Sequence, residues 1–210
     1  MAENRIKEIF QNSNTAEQYF RGYCNYLGEL LRSLDYSEIE KVAQLIFEKY
    51  KSGQTIFLAG NGGSAATASH FALDLAQCCP PEAENRFRAV SLTDNAPWLT
   101  ALANDIGYEE VFTGQIKNLL RKNDLLVVIS ASGNSPNVVA AVRLTKELGG
   151  VTVGVVGFDG GELAQICDHV IHVRSHKGEY GPVEDIHLVL DHMITSYLHM
   201  SLSQLREKQI

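Results

Sequence analysis

After Gly53, five short apolar runs punctuate the chain, at 55–59, 88–92, 124–130, 151–156 and 169–173. The stretches between them, about 66–77, 95–121, 136–148 and 161–167, have helical spacing of apolar residues. A strand that returns parallel to its neighbour needs a crossover connection, usually a helix. Strands alternating with helices therefore specify a parallel sheet covered on both faces. The expectation is an α/β fold. Segment 183–208 reads as one long closing helix, and residues 80–87 (PPEAENRF) read as an exposed loop.

Ahead of the sheet, residues 1–52 read as a helical hairpin belonging to the same domain. Tyr19, Tyr23, Tyr26, Leu27, Leu30, Leu31 and Leu34 recur at spacings of three and four. A second helix is expected from Ser37, with Ser37 and Glu40 at capping-box spacing, apolar positions at Val42, Leu45, Ile46 and Phe47, and Gly53 as its stop. So many Tyr and Leu on a leading helix need a large surface to bury them, which points to a subunit interface.

Composition removes several classes. The formal net charge of -7 argues against a nucleic-acid footprint. No apolar run is long enough to span a membrane, and the first ten residues lack the apolar region of a signal peptide. A cytoplasmic protein with no membrane partner is expected. Cys24, Cys78, Cys79 and Cys167 fit neither a CxxC pair nor a zinc ribbon and read as reduced thiols.

Ligands of open parallel sheets bind beyond the carboxyl ends of the strands. Two such ends carry chemistry. Gly60-Asn61-Gly62-Gly63-Ser64 turns sharply and opens a helix whose free amides suit an anion. Ser130-Ala131-Ser132-Gly133-Asn134-Ser135 puts three hydroxyls and an amide just before a helix that starts at Pro136, a set suited to a phosphomonoester. Gly60, Gly62 and Ala65 also match a dinucleotide fingerprint. Its ribose-binding acid would have to be Asp94, nearly thirty residues past Ala65 instead of about twenty, and a P-loop is absent.

Titratable groups gather on two helices. His70 and Asp74, four apart, share a face. Glu184, Asp185, His187, Asp191 and His192 cluster near the start of the last helix, with Glu184 and Asp191 near one side and His192 about 80° round from Glu184. Two His and two carboxylates from these helices can bind a divalent metal such as Zn²⁺ or serve as general acid and base. Lys177-Gly178-Glu179-Tyr180-Gly181, just ahead of that helix, reads as a flexible segment able to close over a ligand.

The segments AGNGGSAATASHFALDL, SLTDNAPWLTALANDIGYEEVF, VISASGNSPNVVAAV, VGFDGGELA and GPVEDIHLVLDHMI together resemble the sugar isomerase (SIS) domain, and more narrowly its phosphoheptose isomerase branch. The resemblance implies a three-layer sandwich around a five-stranded parallel sheet, with the SIS domain at 53–210. It implies a homotetramer with active sites where subunits meet. Ser130, Ser132 and Ser135 would hold a sugar phosphate, and Asn61, Ser64 and Asp94, with Gly62 and Gly63 of the glycine loop, would line the sugar site. The branch's metal-binding His, Glu, Gln and His fall on His70, Asp74, Glu184 and His192, so Asp replaces Glu and Glu replaces Gln. The implied activity is isomerisation of sedoheptulose 7-phosphate or a related sugar phosphate through an enediol(ate), with Asp74 as base and His192 as its acid–base partner, feeding heptose synthesis for surface glycans. A non-catalytic, sugar-phosphate-binding regulatory protein is the alternative.

Overall fold

The structure, a computed structural model, describes residues 4–79, 83 and 85–207. Three helices lead: α1 (Arg5–Gln11), α2 (Ala16–Arg32) and α3 (Tyr36–Ser52). The alternating part follows as β1 (Thr55–Gly60), α4 (Gly63–Gln77), β2 (Arg88–Ser91), α5 (Ala96–Asp105), a 3-10 turn at Tyr108–Glu110, α6 (Thr113–Leu119), β3 (Leu125–Ser130), α7 (Pro136–Glu147), β4 (Val151–Val156), α8 (Leu163–Ile166) and β5 (His169–His172). The long helix α9 (Tyr180–Glu207) closes the described chain.

The five strands are all parallel, in the order β2-β1-β3-β4-β5. Successive side chains of a strand point to opposite faces, so an apolar run builds two cores at once. In β1, Ile56 and Leu58 pack toward α2, α3, α4 and α9, whereas Phe57 and Ala59 pack toward α6 and α7. β3 repeats the division, with Leu125, Val127 and Ile129 on the first face and Leu126 and Val128 on the second. The result is the expected α/β sandwich of three layers.

Strand order positions the site. From β1 the chain crosses to β2 on one side, then returns to β3 on the other. The carboxyl ends of β1 and β3 are thus the switch point where a crevice opens. Asp124 holds this pair in register from below, accepting the Thr55 amide at 2.8 Å and the Arg121 amide at 2.7 Å.

The leading helices lie against the closing one. Tyr23 donates to Asp185 at 2.6 Å and Tyr26 to Glu179 at 2.6 Å, and Leu30, Ile39 and Val42 share a core with Ile186, Leu190 and Ile194. Gly53 ends α3 with φ 68°, as its position suggested. The start of α3 differs from expectation. Asp35 caps it, accepting the Ser37 and Glu38 amides at 3.0 and 3.3 Å, while the Ser37 hydroxyl donates to Asp35 and forms no box with Glu40.

Three other expectations change. The helical stretch 95–121 breaks at Gly107 (φ 140°), a conformation costly for any residue with a Cβ, and so divides into α5, the 3-10 turn and α6. Residues 80–82 and 84 of the expected loop, and Lys208 of the last helix, lie outside the described residues. Phe87, at the loop's far end, is buried against Tyr50 with ring centroids 4.7 Å apart. The closing segment 177–181 is pinned. Tyr180 and Gly181 already belong to α9, and the buried Glu179 carboxylate accepts the Arg5 amide at 2.6 Å, the Tyr26 hydroxyl and the His176 amide at 3.1 Å.

Candidate active site

The crevice is built of backbone. At Gly60 a Cβ would lie 2.6 Å from the Ser64 carbonyl oxygen, so only glycine lets β1 turn this tightly into α4. Gly133, at φ 64°, faces the Gly160 carbonyl so closely that a Cβ would sit 2.0 Å from it. The Ser130 hydroxyl accepts the Gly133 amide at 3.1 Å, the Ser132 hydroxyl accepts the Asn134 amide at 3.3 Å, and Asn134 Oδ1 accepts the Glu162 amide at 2.9 Å. Ser135 stands at the start of α7 without capping it, so its hydroxyl is uncommitted where the helix presents free amides.

The two loops are joined at Asn61 by two residues that sequence reasoning missed, Asn137 and Tyr108. Asn61 and Asn137 exchange a reciprocal pair of amide hydrogen bonds, each 2.9 Å, and Tyr108 donates to Asn61 Oδ1 at 2.9 Å. These partners are 76 and 47 positions away along the chain, beyond any local pattern. Asp94, past the end of β2, accepts the Ser69 hydroxyl of α4 at 2.5 Å. Glu184 stands over the glycine loop, since a Cβ on Gly63 would lie 2.5 Å from its Oε2.

Further along, α4 and α9 run side by side in the same direction, Gly63 facing Glu184 and Asp74 facing His192. The Nε2 atoms of His70 and His192 converge to 3.1 Å. Asp74 Oδ2 lies 3.4 Å from the first and 3.9 Å from the second. Asp191 joins them. One potential ligand atom from each of His70, Asp74, Asp191 and His192 lies within 4.8 Å of the others, so the group can hold a metal ion. Of the four residues grouped from sequence, Glu184 falls outside this set, because it sits seven residues, about 10 Å of helix, before Asp191.

Burial separates the members. His70 and His192 are about half exposed, and His192 lines a groove together with Asp74, Gln77, Thr195 and Met200. Asp191 has 0% of its surface exposed, and burial, with the Asp74 charge adding, pushes its carboxyl up to about 8. One turn earlier, His187 is fully enclosed and held down to about 4 by burial, with the Val156 backbone opposing. Neither of its ring nitrogens has a hydrogen-bond partner. The four cysteines are free. Burial pushes the Cys78 and Cys167 thiols up to about 12, which disfavours thiolate chemistry. Among the described residues no helix is long and apolar enough to cross a membrane.

A family model described as the SIS domain matches residues 18–157. The chain is 38% identical over 165 residues to a phosphoheptose isomerase of Aliarcobacter butzleri (strain RM4018), covering 79% of this chain and 86% of that protein. Among solved structures it is similar to a phosphoheptose isomerase from Neisseria gonorrhoeae, with TM-score 0.75, 31% identity and coverage of 86% of this chain and 94% of that one. It also shares the fold of a phosphoheptose isomerase from Francisella tularensis, with TM-score 0.76, 24% identity and coverage of 88% and 96%.

Proposed function

Because the chain belongs to the SIS domain family, in its phosphoheptose isomerase branch, we propose that it interconverts the ketose and aldose forms of sedoheptulose 7-phosphate or a closely related sugar phosphate. The product feeds heptose synthesis for surface glycans in the cytoplasm. The observation that carries this reading is the convergence of Asp74, His70 and His192 within 3.1–3.9 Å.

The phosphate sits on Ser130, Ser132 and Ser135 at the start of α7. The sugar crosses Gly62, Gly63 and Ser64, flanked by Asn61, Asp94 and Glu184. His70 lies seven residues, about 10 Å, along α4 from Gly63. A ligand that touches both the serine loop and the cluster is therefore elongated, as a seven-carbon phosphate is. Binding of the remote phosphate orients the reacting carbons.

Asp74 is the base. Its Oδ2 faces the imidazoles, and its Oδ1 makes no hydrogen bond among the described residues. Oδ1 takes the proton from the carbon next to the carbonyl, giving an enediol(ate), and returns it to the neighbouring carbon. His192, its Nε2 set by His70, moves the proton between the two sugar oxygens. With a divalent metal such as Zn²⁺ bound, His70, Asp74 and His192 would be the residues that hold it, and the ion would polarise the carbonyl and stabilise the enediolate charge in place of proton transfer by His192.

The helices at 1–52 serve oligomer packing while the SIS domain proper occupies 53–210. A homotetramer with active sites at subunit contacts is supported by apolar side chains left exposed near the cluster, Leu73 next to Asp74 in the chain and Met200 in the groove that Asp74 and His192 line. Turnover tests the assignment. Asp74→Asn and His192→Ala, folded and melting like the parent, should each lose about 10²–10⁴ in kcat. Full activity in either would overturn it. A regulatory sugar-phosphate-binding role, in which the parent binds without turnover, has no use for this acid–base set.

A further inference from the structure

We infer that Asp191, from inside the protein, supplies the fourth ligand of a two-histidine, two-carboxylate site for a divalent cation, completed by His70, Asp74 and His192. The inference deepens the isomerase reading and rests on its metal chemistry. It differs from the set read in the sequence, where Glu184 held the fourth position.

The first argument is the state of Asp191. It lies in the middle of α9 with 0% exposure, and neither carboxylate oxygen has a hydrogen-bond partner. A buried carboxylate needs a cationic or hydrogen-bonding partner. Thr195, one turn on, gives its hydroxyl to the Asp191 backbone carbonyl at 2.8 Å instead of to the carboxylate. His187, one turn back, has both ring nitrogens unpartnered and makes no bond to it.

The second argument is spacing. Ligands about 2.0–2.1 Å from a tetrahedral ion are about 3.3 Å from one another. The separations between His70, Asp74 and His192 are 3.1, 3.4 and 3.9 Å, already near those edges. Asp191 faces the same point, with all four donor atoms inside 4.8 Å. Two imidazoles and two carboxylates suit Zn²⁺ and chemically similar ions. The exposed sides of His70 and His192 leave that point open to a sugar oxygen. Glu184, over Gly63, is then free of the metal and available to the sugar.

The test titrates zinc chloride into metal-stripped, full-length protein with no sugar present, read by calorimetry and thermal melting. The parent should bind Zn²⁺ and melt higher with it. Asp191→Leu, apolar and of similar size, should lose the zinc-dependent rise and at least ten-fold in affinity, while its metal-free form melts no lower than the parent. Asp191→Asn, nearly isosteric, should also lose at least ten-fold and decides the matter where the leucine variant fails to fold. Glu184→Gln should stay within about three-fold of the parent, since it removes no ligand. Parental affinity in both Asp191 variants, ten-fold loss in Glu184→Gln, or a parent that takes up no Zn²⁺ would each overturn the assignment. None of these results touches the isomerase reading, which is judged on turnover.

Discussion

The crevice at the ends of β1 and β3 and the cluster between α4 and α9 are built on opposite principles. In the crevice most polar groups are already spoken for. Ser130, Ser132, Asn134 and Asn61 hold amides or one another, and glycines occupy turns where a Cβ would strike backbone. In the cluster two imidazoles and a carboxylate crowd together half exposed, and a second carboxylate is buried with nothing to bond. A rigid, satisfied cradle suits recognition of a group that never reacts. An unsatisfied, charge-rich pocket suits a ligand or proton that comes and goes. On the proposed reading, the molecule separates holding the substrate from changing it.

That contrast can be broken most severely at Gly133. Alanine there needs φ 64° and would thrust its Cβ to 2.0 Å from the Gly160 carbonyl. Strain plus overpacking should cost about 4 kcal/mol, read as a fall in denaturation midpoint at constant slope. A loss under about 1 kcal/mol would mean that the cradle is soft.

The cluster side responds to pH through His187, whose imidazole is held at about 4 by burial. Above pH 6.5 it is neutral folded or unfolded. Between about 6.5 and 4 the unfolded chain takes up a proton that the folded chain refuses, so stability falls as pH falls. The loss should approach on the order of 3 kcal/mol by pH 4. Comparing denaturation curves of the parent and His187→Leu at pH 7 and pH 4.5 isolates it, because the variant should lose that part of the slope. Equal pH dependence in the two would refute the buried neutral state.

A finer probe sharpens the cradle. Tyr108→Phe removes one hydrogen bond to Asn61. It should weaken sugar-phosphate binding by about 1 kcal/mol, seen as a several-fold rise in KM with kcat nearly unchanged. An equal fall in kcat would place Tyr108 in the chemistry instead.

Much of this arrangement is legible in the residues, for physical reasons. β3 and β4 are nearly continuous apolar runs because both their faces are buried, and the two loops advertise themselves through glycine and serine. Local chemistry was misread where two caps compete. Asp35, two residues before Ser37, accepts the Ser37 and Glu38 amides, so the helix starts earlier and Ser37 falls inside its first turn. Gly107 was hidden in an apolar stretch that kept helical spacing on both sides. The largest gap was along α9. Glu184 and Asp191 share a side of the helix, but which of them meets His70 depends on how α4 lies beside α9. That is set by packing between segments more than a hundred residues apart. The Asn61–Asn137–Tyr108 tie was invisible for the same reason.

The most direct measurement of the central claim follows protons. Metal-defined protein is incubated with sedoheptulose 7-phosphate in deuterated water, and isomer formation and deuterium uptake are read by NMR. The account predicts that an aldose phosphate appears and that deuterium enters at the carbon beside the carbonyl. A sugar phosphate that binds the serine loop yet yields neither isomer nor deuterium would contradict it, leaving a protein that recognises its ligand without transforming it.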